Sequence, residues 1–177
     1  MSKISSTYCL DAWHNLYIEP VNHDQIRIAA CCQSQMNLET SHTFDFVHND
    51  FLGEIRRDLS SGIQSPECDS CWRIEAAGGR SRRHSVMEEY DQPDCQVDLQ
   101  SLDINVTWAC NLACVMCGPT WSSTWAKELS LPATRLIDLG RSHQRSNDWL
   151  DRMDFSRISR VHFNGGEPLL NHDHRRD

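Results

Sequence analysis

Three thiols within eight residues constrain this chain more than any other feature of it. Cys110-Asn-Leu-Ala-Cys114-Val-Met-Cys117 is a C-x₃-C-x₂-C run that directly follows the alternating segment Leu102–Trp108. Thiols this close can all turn on one point, which suits a thiophilic metal or cluster. A closed zinc site or a fully ligated [4Fe–4S] cluster takes four protein ligands. This loop supplies three. A fourth ligand comes from elsewhere in the chain, or one metal position stays open to something that is not protein. Spacing alone leaves iron–sulfur and zinc both open, with buried structural cysteines a minor third reading.

The chain around the loop is 177 residues long, enough for one ordinary domain or two small ones. No apolar run approaches the ~18 residues of a spanning helix. Met1 to Tyr8 lacks the apolar region of a signal peptide, so no membrane contact and a cytoplasmic location are expected. Nine cysteines in such a chain point to metal or redox chemistry rather than to a disulfide framework. A net charge of −8 argues against a nucleic-acid partner. Arg80, Arg82, Arg83 and His84 form the one basic cluster, read as solvated or paired with Glu88 and Glu89.

Upstream, Trp13–Ile18 and Ile26–Ala30 flank the polar turn Asn22–Gln25 and read as a β-hairpin. Cys9 precedes its first strand, and Cys31 and Cys32 end its second, so thiols gather at one end. The polar stretch to His48 reads as loop. Asn49 or Asp50 caps a helix in which Leu52, Ile55 and Leu59 recur at helical spacing, and Gly62 ends it. Cys68 and Cys71 then form C-x₂-C, a spacing that lets both sulfurs reach one metal. With Cys9 and either Cys31 or Cys32 the set reaches four. A thioredoxin-like redox pair is the rival, but no βαβ pattern surrounds it. Cys95 reads as an ordinary free thiol.

Residues 91–100 read as a linker between an N-terminal cysteine-rich module, 1–90, and a second module, 101–177. In the second, Leu102–Trp108 is the first strand. Trp121, Trp125 and Leu129 lie four apart on one helix face, as core packing, and Pro132 stops that helix. Trp149, Leu150 and Met153 form another amphipathic patch before a strand at Ile158–Phe163. Strand, helices and parallel strand make one βαβ crossover. His14, His23, His42, His48, His84 and His143 show no ligand spacing, and His172 and His174 read as ordinary polar residues.

The last strand runs into Gly165-Gly166-Glu167-Pro168. A cysteine loop of this spacing, followed downstream by a strand ending in Gly-Gly-Glu-Pro, resembles the radical S-adenosylmethionine (SAM) enzymes. The resemblance implies that Cys110, Cys114 and Cys117 hold three irons of a [4Fe–4S] cluster, whose open iron binds SAM. It also implies that Gly165, Gly166, Glu167 and Pro168 meet the methionine end of SAM, the glycines letting backbone pass close to the ligand. Cys9, Cys31 or Cys32, Cys68 and Cys71 are similar to the twitch or SPASM-like modules that carry an auxiliary [4Fe–4S] cluster, with a structural zinc as the alternative.

The fold so implied is α/β. A small α+β twitch-like module precedes the first βαβ portion of a partial (β/α)₆ barrel. About seventy residues follow Cys110, against roughly 250 in a complete eight-fold barrel, so a fragment or one half of a split protein is expected, with a complementing half. The family's activity is reductive cleavage of SAM to a 5′-deoxyadenosyl radical that takes hydrogen from a substrate. A peptide or small-molecule substrate and a flavodoxin or ferredoxin donor are the partners implied. A non-catalytic iron–sulfur or zinc module, or a two-cluster electron carrier, is the alternative function.

Overall fold

Leu16 and Ile18, Ile26 and Ile28, and Leu102 and Ile104 each lie two residues apart, so in extended chain each pair falls on one face. In the computed structural model these six side chains are buried in a single core. The structure describes residues 5–21, 24–89, 95–119, 121–131 and 153–170. Five strands form one mixed sheet: β1 (Asn15–Pro20), β2 (Gln25–Ala29), β3 (Asn37–Thr40), β4 (Ser101–Thr107) and β5 (Arg160–Gly165), in the order β3-β2-β1-β4-β5. The architecture is α/β. The hairpin is present as antiparallel β1 and β2, with Ile18 opposite Ile28. β4 and β5 are parallel, as a βαβ crossover requires.

Two features of the sheet depart from the sequence reading. The stretch taken as loop up to His48 contains β3, a four-residue edge strand paired antiparallel with β2. Its residues Asn-Leu-Glu-Thr carry little apolar signal, and ladder hydrogen bonds to β2 define it instead. In addition, β1 pairs in parallel with β4, placing Leu16 beside Leu102 and Ile18 beside Ile104. The sheet therefore continues across the expected linker, and the hairpin sits directly beside the strand that feeds the motif loop.

Among the described residues, five helices accompany the sheet: α1 (Asp11–His14), α2 (Asp50–Ser60), α3 (Asp69–Ala76), α4 (Arg82–Glu89) and α5 (Ser123–Glu128). α2 begins as its sequence indicates, the Asn49 side chain accepting the Leu52 N–H at 3.0 Å. Leu52, Ile55 and Leu59 join the apolar core. Arg56, on the same helix, is buried and satisfied by three carbonyls, those of Ala12, Phe46 and Val47. Burial pulls its guanidinium pKa down to about 10. That fan of donors fixes α2 against α1 and the segment before it.

The opposite face of the central strands is polar although buried. Asn15 and Tyr17 on β1 lie against Asp103 and Asn105 on β4, with an Asn15–Asp103 bond of 3.4 Å and an Asn105–Tyr17 bond of 3.3 Å. No described helix is long and apolar enough to cross a membrane. Asn22, His23, Pro132, His143, Trp149, Leu150, His172 and His174 lie outside the described residues.

Candidate functional site

Four of the five N-terminal cysteines line one small cavity. Cys9, Cys31, Cys68 and Cys71 share its wall with Asp11, Arg82 and Arg83. Its volume is about 20 Å³, room for one water-sized atom. The four thiols come from three local devices. Cys9 lies just before α1. Cys31 ends β2 in a tight turn where Ser34 both accepts the Cys31 N–H, at 3.1 Å, and donates to its carbonyl, at 3.0 Å. Cys68 and Cys71 flank the start of α3, whose backbone is tied to the Cys31 turn by Gln35 N–H to Glu67 C=O, 2.8 Å, and Ser70 to Gln33 C=O, 3.0 Å. Cys31, buried, faces this cavity; its neighbour Cys32 is exposed and does not line it.

A cation that the sequence reading left on the surface closes the assembly. Arg83 grips Glu75 of α3 through two bonds, 2.9 and 2.5 Å, donates to the carbonyls of Ser6 and Tyr8, and stacks over Trp72 at 5.1 Å. The segment leading to Cys9 is thereby held against the C-x₂-C helix. Gly78, at φ +75°, permits the turn between α3 and α4 that brings Arg83 back. Arg82 turns inward as well, to Asp11 at 2.7 Å and towards Asp103 at 3.9 Å. Of the basic cluster, Arg80 alone pairs with Glu88 as expected, while Glu89 pairs with Arg160. Gly78-Gly79 marks the helix end in the sequence, but nothing local in the sequence names these partners.

Burial dominates the electrostatics of this pocket. It pushes the Cys31 thiol up to about 12, with Asp11 adding to the rise, and the Cys68 thiol up to about 12, with Cys31 and Cys71 adding. Cys9 is raised well above the ordinary thiol value, again by burial first and Asp11 second. Without a bound cation these groups stay protonated at neutral pH. A cation bound beside them would reverse that balance, since its charge favours the thiolates.

The motif loop is built differently. β4 ends at Thr107, and Cys110 is half-buried, whereas Cys114 and Cys117 are exposed. Val115 and Met116, between them, stand almost fully in solvent at 98% and 94% exposure. Leu112 N–H points at Cys110 Sγ, 3.4 Å away, and Cys117 N–H closes onto the Cys114 carbonyl at 2.9 Å. The Gly-Gly-Glu strip at the end of β5 lies against the base of this loop. Gly166 N–H donates to Thr107 C=O and Glu167 N–H to Ala109 C=O, both at 2.8 Å.

The glycines are required here by the chain itself. Gly165 has φ +125°, and a Cβ on it would strike the Thr107 carbonyl and lie 2.8 Å from Asn105 Oδ1. A Cβ on Gly166 would strike the Ala109 carbonyl and lie 2.7 Å from that of Trp108. The close approach of β5 to the exit of β4 thus needs glycine at both positions. Glu167 is half-buried, and its Oε1 accepts the Leu169 N–H at 3.3 Å, at the start of the turn formed by Pro168.

Residues after the loop were read as core and are not. Trp121 is exposed, and Trp125 donates its indole N–H to the Cys114 carbonyl at 2.9 Å. Among the described residues, no three His, Cys, Asp or Glu side chains meet in metal-ligand geometry. All nine cysteines are free thiols. Comparison with family models, with curated protein sequences and with solved structures finds no match to this chain.

Proposed function

We propose that this chain is an iron–sulfur protein of the radical SAM type, with a SAM-binding [4Fe–4S] cluster on Cys110, Cys114 and Cys117. One observation carries the reading. The Gly-Gly-Glu strip is hydrogen-bonded to Thr107 and Ala109, the residues that lead into the three-thiol loop, at the C-terminal ends of two adjacent parallel strands. In α/β folds that edge is where ligands bind. A cluster held there, with one iron free of protein, would supply reductive cleavage of SAM and hydrogen abstraction from a peptide or small-molecule substrate.

The chain's own residues have more modest tasks. Cys110, Cys114 and Cys117 supply thiolates from a loop whose base is pinned by Gly166 and Glu167. The Glu167 strip stands one residue from Cys110 through its bond to Ala109, near enough to offer polar groups to a ligand on the open iron. The four-thiol pocket, with Cys31 in preference to Cys32, would hold the second metal of a twitch-like module. Electron transfer from a flavodoxin or ferredoxin donor would then have two centres to address.

For that second centre a single thiolate-bound zinc is the competing reading, favoured by a cavity of only about 20 Å³. Anaerobic reconstitution followed by iron and zinc analysis separates the cases. Cys110→Ala/Cys114→Ala/Cys117→Ala should remove about four irons, one [4Fe–4S] cluster, and abolish a SAM-dependent change in the EPR signal of the reduced chain. Metal retained by this variant belongs to the pocket, and its identity decides between cluster and zinc. A wild-type chain that takes up zinc alone, with no visible charge-transfer absorption, overturns the proposal.

A further inference from the structure

We infer that the first turn of α5, Ser122 to Trp125, is a clasp that sets the shape of the cysteine loop before any metal arrives. This inference rests on the reading of Cys110, Cys114 and Cys117 as ligands. It concerns residues for which that reading offers no role. Four consecutive side chains each bind the backbone of the loop. Ser123 Oγ accepts the Cys110 N–H at 3.0 Å and donates to the Cys110 carbonyl at 3.1 Å, so one hydroxyl fixes both polar groups of that residue. Thr124 adds a second donor to the same carbonyl at 2.6 Å. Ser122, fully buried, donates to Leu112 C=O at 2.9 Å, and Trp125 Nε1 donates to Cys114 C=O at 2.9 Å.

The bonds have a direction as well as a number. Carbonyls of Cys110, Leu112 and Cys114 are all drawn towards α5, at the first and second ligand positions and midway between them. With the Cys110 N–H also taken by the clasp, the Leu112 N–H is left to meet Cys110 Sγ, 3.4 Å away. Short hydroxyl side chains suit this task because they lose little rotamer freedom when fixed. Ser123 N–H is in turn bound to the Trp108 carbonyl at 3.0 Å, so the clasp is anchored to the end of β4 rather than floating with the loop. Ser122 to Trp125 are positioning residues. Outer-shell partners of this kind orient ligands, and losing them typically weakens metal binding by about 10–100-fold.

Cobalt(II) titration of the full chain tests the inference, read from the thiolate-to-cobalt charge-transfer band. The loop's share is the difference between the chain and its Cys110→Ala/Cys114→Ala/Cys117→Ala form. Ser123→Ala with Thr124→Val should weaken the loop's affinity about 10–100-fold, leaving the pocket's share and the thermal midpoint unchanged. Ser123→Thr should restore it. Trp125→Phe keeps a ring and loses only the indole donor, and it should weaken the loop in the same direction even if the hydroxyl variant fails to fold. Equal loop affinity in these variants and the wild type would overturn the clasp while leaving the metal reading intact. A wild-type chain with no cobalt on the loop would instead remove the metal reading, and the clasp with it.

Discussion

The two thiol groups of this chain differ in how they are held. Cys110, Cys114 and Cys117 sit in one exposed loop, fixed by side chains of the short helix that follows it, 10 to 14 residues along the chain. Cys9, Cys31 and the Cys68–Cys71 pair come from three separate places and line one cavity only because a sheet, a helix and one arginine bring them together. Beyond its bonds to α5 the loop rests on the β4–β5 junction at its base. The pocket depends on the whole N-terminal fold. The contrast also sets their chemistry: burial keeps Cys9, Cys31 and Cys68 protonated, while two of the loop's thiols face solvent and any oxidant in it.

The largest effect expected from that contrast is in thiol reactivity. In the native, metal-free chain at pH 8, Cys31 and Cys68 should react with iodoacetamide about 10³-fold more slowly than an ordinary thiol, since each has moved from 9.0 to about 12. Cys114 and Cys117 should label at the rate of exposed cysteines. Mass spectrometry of peptides over time reads both. Uniform labelling of all these cysteines would break the distinction.

A backbone substitution should separate the regions energetically. Gly165→Ala places a Cβ against the Thr107 carbonyl at a φ that L-residues avoid, and should cost about 2–4 kcal/mol. The damage belongs at the β4–β5 junction, so loop cobalt should fall while Cys31 and Cys68 stay protected from alkylation. Urea unfolding gives the first number and labelling the second. Loss of protection in the pocket as well would show that the two regions melt as one.

The smallest effect should come from Glu75→Gln, which removes the acid partner of Arg83. Burial alone would raise the Glu75 carboxyl, but bonds from Arg83 and Ser81 and the charge of Arg83 outweigh it, leaving the group below its ordinary 4.5. A carboxyl depressed in the folded state contributes stability that is present above 4.5 and lost as pH falls through the lower, folded value. At pH 7 the substitution should cost about 1–2 kcal/mol, the scale of charged hydrogen bonds, and speed alkylation at Cys9. Chemical denaturation at pH 7 and below pH 4 should show the gap between variant and wild type closing in acid. A gap independent of pH would mean that Arg83 holds the segment through its carbonyl bonds and Trp72 alone.

What the sequence determined here is what short spacing can determine. Three thiols in eight residues, the Asn49 cap with Leu52, Ile55 and Leu59 behind it, and the period-two runs at Leu102 and Ile26 all encode geometry through neighbours. The parallel pair β4 and β5, and the meeting of the loop with Gly-Gly-Glu, were legible for the same reason: each motif marks the end of its own strand. The tertiary structure decided the rest. β3 has no apolar alternation to announce it, and only the free edge of β2 makes it a strand. Cys31 and Cys32 are adjacent and chemically identical, so no local rule chooses between them. The turn after β2 does, burying one and exposing the other. Arg82 and Arg83 look like surface charge until α4 folds back, because an arginine's partners, unlike a helix's period, are set by whatever distant carboxylates and carbonyls the chain brings within reach.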